Sequence, residues 1–121
     1  MFAELVERHC AGLPGAEPER PFGPDTLVWK VGGKMFAAYT EDGRGLSVKC
    51  QDGPTAQILI QQGRAESAPY LKRGGWVLFP WEQTAPDELR ARLTDSYMTV
   101  RQGLSAEKRN ALPPLPTETQ H

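Results

Sequence analysis

A glycine pair between two lysines is the first segment of this sequence whose residue types suggest ligand binding. Lys30 and Lys34 flank the pair Gly32 and Gly33. Lysine ammonium groups contact phosphates, and glycine lets the backbone approach a ligand closely because it has no side chain. A tight turn alone also explains both glycines, and lysines at a strand edge discourage aggregation. The segment is therefore a candidate nucleic-acid contact with a simpler structural alternative.

The densest basic cluster of the chain lies further along. Lys72 and Arg73 precede Gly74, and Tyr70 and Trp76 lie on either side of the cluster. Cations interleaved with aromatic rings can hold the backbone and stack on the bases of a single strand. An ordinary loop anchored by two buried rings explains the same residues, since large aromatic residues are mostly buried. We take Lys72, Arg73 and Gly74 as the second part of a candidate nucleic-acid site.

Metal or thiol chemistry is not indicated by the sequence. The two cysteines, Cys10 and Cys50, have no short spacing of the kind found in zinc sites or redox pairs. The two histidines, His9 and His121, lie at opposite ends of the chain, and the acidic residues follow no calcium-loop pattern. We expect no metal and no cofactor.

The pair Ser96 and Tyr97 does not indicate a catalytic nucleophile. A nucleophile needs a base within hydrogen-bond reach and donors for the developing oxyanion, and neighbours on one helix do not supply them. Tyr97 belongs to a stripe of apolar residues at helical spacing, so packing is the favoured interpretation. We expect a protein that is not an enzyme.

The bulk properties indicate one small domain. The chain has 121 residues, and its formal net charge of −1 creates no overall field that would attract nucleic acid, so any such binding must be local. The amino-terminal residues lack the continuous apolar core of a secretory signal, and no stretch is long and apolar enough to span a membrane. We expect a cytoplasmic protein with no membrane association.

Periodicity and turn residues predict the order helix, three or four strands, helix, strand, helix. The predicted strands are 27–31, 34–39, 46–50 and 76–81, the first helix is 2–11, and residues 14–24 suit a loop or a short edge strand. Asp52 is expected to cap the second helix, and Thr84 with Asp87 to form a capping box that opens the longest helix. Residues 1–109 form the predicted domain, and the proline-containing residues 110–121 a flexible tail.

Strands joined by tight turns run antiparallel, so these elements predict an α+β fold of two layers. The apolar stripes of the helices would then pack on one side of a single antiparallel sheet.

Several segments, in this order and spacing, resemble the MmcQ/YjbR-like family. They are Leu13-Pro14-Gly15-Ala16, Phe22-Gly23, the stretch Val31 to Ala37, Leu46 to Cys50, Tyr70-Leu71, Gly75-Trp76 and Asp95-Ser96-Tyr97. The resemblance covers nearly the whole chain up to about Arg109. It implies a compact YjbR/CyaY-like fold, similar to frataxin and secretion chaperones, and an inferred role in DNA binding through a "double wing" of hairpins.

The leading functional hypothesis is a non-enzymatic binding module that makes weak, salt-sensitive contacts with DNA through its basic glycine turns. The alternative is a domain that binds a protein or a small ligand and has no nucleic-acid role. In that case an exposed sheet face lined by Trp29, Tyr39, Trp76 and Trp81 would form the binding surface. A third class, an unrecognised enzyme, would require a pocket with converging polar groups.

Overall fold

The structure, a computed structural model, describes residues 2–40, 43–68, 71 and 75–115. Four helices and six strands occur in these ranges, in the order that the sequence predicts, with one additional short strand before the last strand and one additional short helix at the end. In chain order they are α1 (Phe2–Ala11), β1 (Ala16–Glu19), β2 (Thr26–Val31), β3 (Lys34–Thr40), β4 (Gly45–Lys49), α2 (Gly53–Gln61), β5 (Glu66–Ser67), β6 (Trp76–Pro80), α3 (Pro86–Gln102) and α4 (Ala106–Asn110).

The strands form one open antiparallel sheet in the order β1-β2-β3-β4-β6-β5. The predicted α+β class is therefore confirmed. Of the two interpretations of residues 14–24, the edge strand is correct, because β1 pairs with β2. Pro18 in this strand suits an edge, where a missing N–H is tolerated. The two-residue strand β5 is too short to leave a periodic signal in the sequence.

The main core lies on one face of the sheet, beneath α1 and α3. Strand alternation puts Leu27, Trp29 and Val31 on this face, as predicted, and all three are buried in the core cluster. Helix α3 packs across β2, β3 and β4, and α1 packs against α3 and β1. The predicted inner stripe of α3, which includes Leu93 and Tyr97, is buried in the same cluster.

The opposite face of the sheet carries a separate row of small and apolar residues. Val28, Ala38, Ser47 and Leu78 lie side by side in the register of β2, β3, β4 and β6. Val28 and Leu78 are buried without belonging to the main core cluster. This second face positions the site described below.

One of the two predicted helix caps is confirmed and the other is wrong. Asp52 caps α2, and its Oδ1 accepts a hydrogen bond from the main-chain N–H of Thr55 at 2.8 Å. In contrast, α3 begins after Ala85 with no side-chain cap. Pro86 occupies its first turn and presets the helical φ, so Thr84 lies before the helix and is buried instead.

The packed part of the chain continues past the predicted domain boundary at residue 109. Leu112 and Leu115 pack against the core, and the Arg101 guanidinium donates to the carbonyl oxygen of Pro113 at 2.8 Å. The apolar residues spaced between prolines explain why a segment without periodicity still packs. Residues 116–121 of the predicted tail lie outside the described ranges. Among the helices in those ranges, none has the length and apolar character needed to cross a membrane.

Candidate functional site

The predicted glycine hairpin is present, and its turn connects β2 to β3. Gly32 and Gly33 have φ angles of +58° and +83°, which side chains other than glycine rarely adopt, and Val31 pairs with Lys34 across the turn. A Cβ added at Gly32 would lie 2.5 Å from a methyl group of Leu104 in the loop after α3, whereas Gly33 has open space. Turn geometry and packing therefore account for Gly32, while Gly33 is open to a ligand.

The two lysines of this hairpin are in different electrostatic states. The Lys30 ammonium lies 3.0 Å from a carboxylate oxygen of Glu19 on β1, so a carboxylate partly neutralises its charge. Lys34 is exposed and makes no ion pair with any residue in the described ranges. The other predicted site residues, Lys72, Arg73 and Gly74, lie outside those ranges, so the structure does not relate them to the hairpin.

Several arginines are also paired with carboxylates rather than gathered on one surface. Arg44 forms an ion pair with Glu66, and Glu88 forms ion pairs with both Arg64 and Arg92. Hydrogen bonding and attraction to Glu66 raise the pKa of Arg44. These pairs bring opposite charges together and weaken the local positive potential that would attract a polyanion.

The predicted aromatic platform is wrong for Trp29, Tyr39 and Trp81. Trp76 is half-buried outside the core cluster, and strand alternation places it on the same sheet face as Leu78. Trp29 and Tyr39 are buried in the core beneath the helices. Trp81 is half-buried, stacks on Phe2 of α1 with ring centroids 5.2 Å apart, and meets Tyr39 edge to face at 5.9 Å. The period-two alternation directs Trp29 and Tyr39 toward the helices, where aromatic rings contribute most by burial.

The second face of the sheet instead contains a groove that no described helix covers. Its volume is about 770 Å³, and strands and loops supply all of its described lining. Ala38, Ser47 and Leu78 form its floor, and Phe22, Met35 and Leu71 surround them. Phe22 is 69% exposed, and it and Ile58 are the large apolar side chains most open to water in the described chain.

Among the described residues that line the groove, the polar side chains are few and, apart from Arg44, uncharged. Thr26, Thr40 and Ser47 carry hydroxyls, and Arg44 at the margin is held by Glu66. The sequence carried part of this signal, because Val28, Ala38, Ser47 and Leu78 occupy alternate positions opposite the core residues. Phe22 and Leu71 lie in loops, so periodicity could not assign them to the groove.

The two cysteines and His9, which could in principle act as nucleophiles or bases, are buried or hydrogen-bonded. Burial raises the pKa of the Cys10 thiol to about 12 and also raises that of Cys50, so both remain protonated at neutral pH. His9 Nε2 is hydrogen-bonded to Thr94 Oγ1 at 2.7 Å. Burial, and secondarily the positive charge of Arg90, lower the pKa of His9.

The sequence match to a known family covers most of these elements. The YjbR family model matches residues 11–99, from the end of α1 to the last turns of α3. The chain belongs to the YjbR family. The matched part of this YjbR-family protein includes the glycine hairpin and every described residue that lines the groove.

A relative and a solved structure agree with this assignment. The chain is 30% identical over 115 residues to the uncharacterized protein YbdF of Escherichia coli O157:H7, covering 92% of this chain and 93% of the relative. It superposes on a crystal structure of a Deinococcus radiodurans protein with a DUF419 domain with a TM-score of 0.76 and 24% identity. That match covers 89% of this chain and 85% of the other and supports the fold alone.

Proposed function

We propose that this YjbR-family protein is a non-enzymatic binding domain whose groove on the uncovered sheet face binds a small, neutral, mostly apolar ligand. The observation that carries the proposal is the groove itself, which is mostly apolar, has a volume of about 770 Å³ and lies beside the exposed ring of Phe22. Small-molecule sites are concave, mostly apolar, carry a few placed polar groups, and have volumes of roughly 300–1,000 Å³. The hydroxyl of Ser47 on its floor would orient the ligand.

The charged side chains described near the groove favour a neutral ligand. Arg44 at its margin is paired with Glu66, and Lys30 on the same strand face is paired with Glu19. Binding an anion would require each cation to leave its carboxylate. A neutral ligand gains apolar contact without that cost, at about 25 cal/mol per Å² of buried apolar surface.

The states of the reactive side chains support binding rather than catalysis. Neither thiol forms the thiolate that acts as a nucleophile, because burial keeps both protonated. His9 lies in the α1–α3 contact, where Thr94 holds its ring, and it is not part of the groove lining.

Fluorescence titration with the neutral apolar dye Nile red tests the proposal. We expect saturable binding at one site, weakened about tenfold or more in Phe22→Asp, because the ring contact is lost and a charge is placed beside the groove. Ile58→Asp is the matched control, since Ile58 is also an exposed apolar residue, 52% exposed, but lies on α2. Absence of saturation, or equal weakening in both variants, would contradict the proposal.

Nucleic-acid binding through the glycine hairpin is a second candidate, favoured by one observation. Lys34 is exposed beside the open Gly33 and is not paired with any carboxylate among the described residues. We expect such binding to be weak and to fall with salt, because it depends on phosphate contacts. Anisotropy of labelled duplex DNA over a salt series tests it, with Lys34→Glu and the double variant Lys72→Glu, Arg73→Glu compared with Lys108→Glu. Absent binding at low salt, or equal binding by all variants, would overturn this candidate.

A further inference from the structure

A second groove, of about 660 Å³, lies between α3 and the junction of β4 with α2. It shares no described lining residue with the groove on the uncovered sheet face. Its lining is more polar than that of the groove on the uncovered sheet face. It contains side chains of both charges, with Lys49 on one side and Asp95 on the other. The remaining members are mainly amides, hydroxyls and apolar groups: Val48, Cys50, Gln51, Thr55, Arg92, Met98, Thr99, Gln102 and Gly103.

One hydrogen bond links the backbone at Lys49 on one wall to Ser96, the neighbour of Asp95, on the other wall. The main-chain N–H of Lys49 donates to the hydroxyl of Ser96 at 2.8 Å, and Ser96 is the residue after Asp95. The same hydroxyl donates to the carbonyl oxygen of Phe36 at 2.5 Å, and Ser96 is fully buried. The backbones that carry the two charged side chains are therefore joined below the groove.

Lys49 and Asp95 do not neutralise each other. Neither forms an ion pair with the other or with any residue of the described chain, so the ammonium and carboxylate lie more than 4.0 Å apart. Arg92 nearby is already engaged, because it pairs with Glu88 at 3.1 Å and its guanidinium lies over the ring of Phe79. Among the described residues of its lining, the groove thus has one available positive group and one available negative group.

We propose that this groove binds a small zwitterion that carries a carboxylate and an ammonium group a few atoms apart. Its carboxylate would contact the Lys49 ammonium, and its ammonium would contact the Asp95 carboxylate. Two charge-assisted contacts from opposite walls favour a zwitterion over a ligand with one charge, because the latter leaves either Lys49 or Asp95 without a partner. The amides of Gln51 and Gln102 supply neutral hydrogen-bond partners for the rest of the ligand.

The neighbouring thiol fits binding without covalent chemistry. Cys50 lies at the same groove, and burial raises its pKa despite the opposing positive charge of Arg92. It therefore stays in the weakly nucleophilic thiol form at neutral pH.

NMR titration of the ¹⁵N-labelled protein with γ-aminobutyrate tests this inference, with propionate and propylamine as ligands of one charge. We expect saturable shifts of the amides of Lys49, Gln51 and Thr99 with γ-aminobutyrate, and affinities at least about tenfold weaker for the other two compounds. Glycine, whose charged groups are closer together, measures the required separation and is expected to bind more weakly than γ-aminobutyrate.

Matched variants distinguish the loss of a ligand contact from a general effect on the fold. Lys49→Gln and Asp95→Asn should each weaken γ-aminobutyrate binding about tenfold or more, whereas Asp87→Asn, at an exposed carboxylate of α3 outside the groove, should not. The amide spectra of the free variants show whether each one folds. Equal binding of propionate or propylamine, equal binding by the three variants, or no saturation with γ-aminobutyrate in the wild-type protein would overturn the proposal. These measurements are independent of Nile red binding at the other groove.

Discussion

The hydroxyl of Ser96 accepts a hydrogen bond from the main-chain N–H of Lys49 and donates one to the carbonyl oxygen of Phe36. A single buried side chain on α3 thus connects the helix to both β3 and β4. The sequence indicated close packing at this position, and the structure adds that the packing includes two polar contacts. Their loss would leave main-chain groups of two strands without these partners beneath α3.

Ser96→Ala should therefore be strongly destabilising for a change that removes one oxygen atom. We expect the free energy of unfolding to fall by about 2–4 kcal/mol, since each buried main-chain group left without a partner costs roughly 1–3 kcal/mol. Urea unfolding measures the change. Ser105→Ala, which removes the exposed cap of α4, is the control and should cost about 1 kcal/mol or less. Equal losses in the two variants would show that the Ser96 contacts have no special weight.

Arg101 should hold the carboxyl-terminal segment against the core. Only 5% of this residue is exposed, and its guanidinium donates to the hydroxyl of Tyr97 at 2.7 Å and to the carbonyl oxygen of Pro113. We expect Arg101→Met to lower the free energy of unfolding by about 2–4 kcal/mol, because hydrogen bonds to charged groups contribute roughly 1.5–3 kcal/mol each. Limited proteolysis should show faster cleavage after residue 109, whereas the exposed-site variant Lys108→Met should match the wild type on both measures. Unchanged cleavage in Arg101→Met would contradict this role.

The two turn glycines should differ in their tolerance of alanine. Both have positive φ, which costs an alanine about 1–2 kcal/mol. Only at Gly32 does the new Cβ also meet the Leu104 side chain. We therefore expect Gly32→Ala to lower the thermal unfolding midpoint more than Gly33→Ala does. The opposite ranking would mean that Leu104 does not pack on this turn.

Acidification should reduce stability partly through His9. The pKa of His9 is lowered below its ordinary value of 6.5 in the folded protein. As the pH falls, the unfolded chain therefore takes up the proton first. The contribution of His9 to the free energy of unfolding is complete above pH 6.5 and is lost as the pH falls below that value. Between pH 7.5 and pH 5.5, the free energy of unfolding of the wild type should decrease more than that of His9→Gln. Parallel pH profiles for the two proteins would contradict this assignment.

The main elements of the fold could be predicted because their signals are local. The glycine hairpin, the Asp52 cap and the buried stripe of α3 depend on residues close in sequence. The predicted capping box at Thr84 does not form, because Pro86 starts α3 and Thr84 is buried before it. The contacts of Leu112 and Arg101 with distant parts of the chain have no periodicity that a sequence can show.

The candidate sites were harder to predict, since each combines distant segments. The lysines of the hairpin were recognised, but the ion pair of Lys30 with Glu19 depends on β1 pairing with β2. The sequence shows that the strands carry several aromatic residues, but it does not show which sheet face the helices cover. It therefore does not show which of these rings are buried. Phe22, Ser47 and Leu78 meet only when β4 pairs with β6 and the loop before β2 reaches the same face.

Shift mapping with indole, a small neutral probe, tests the central claim most directly. In ¹H–¹⁵N spectra of the wild-type protein, we expect saturable shifts at the amides of Ala38, Ser47 and Leu78 and no comparable change at Lys34. The shifts should disappear at equal indole concentration in Phe22→Asp and persist in Ile58→Asp. Shifts confined to residues outside the uncovered sheet face, or none up to the solubility limit of indole, would contradict a neutral, apolar ligand site in this groove.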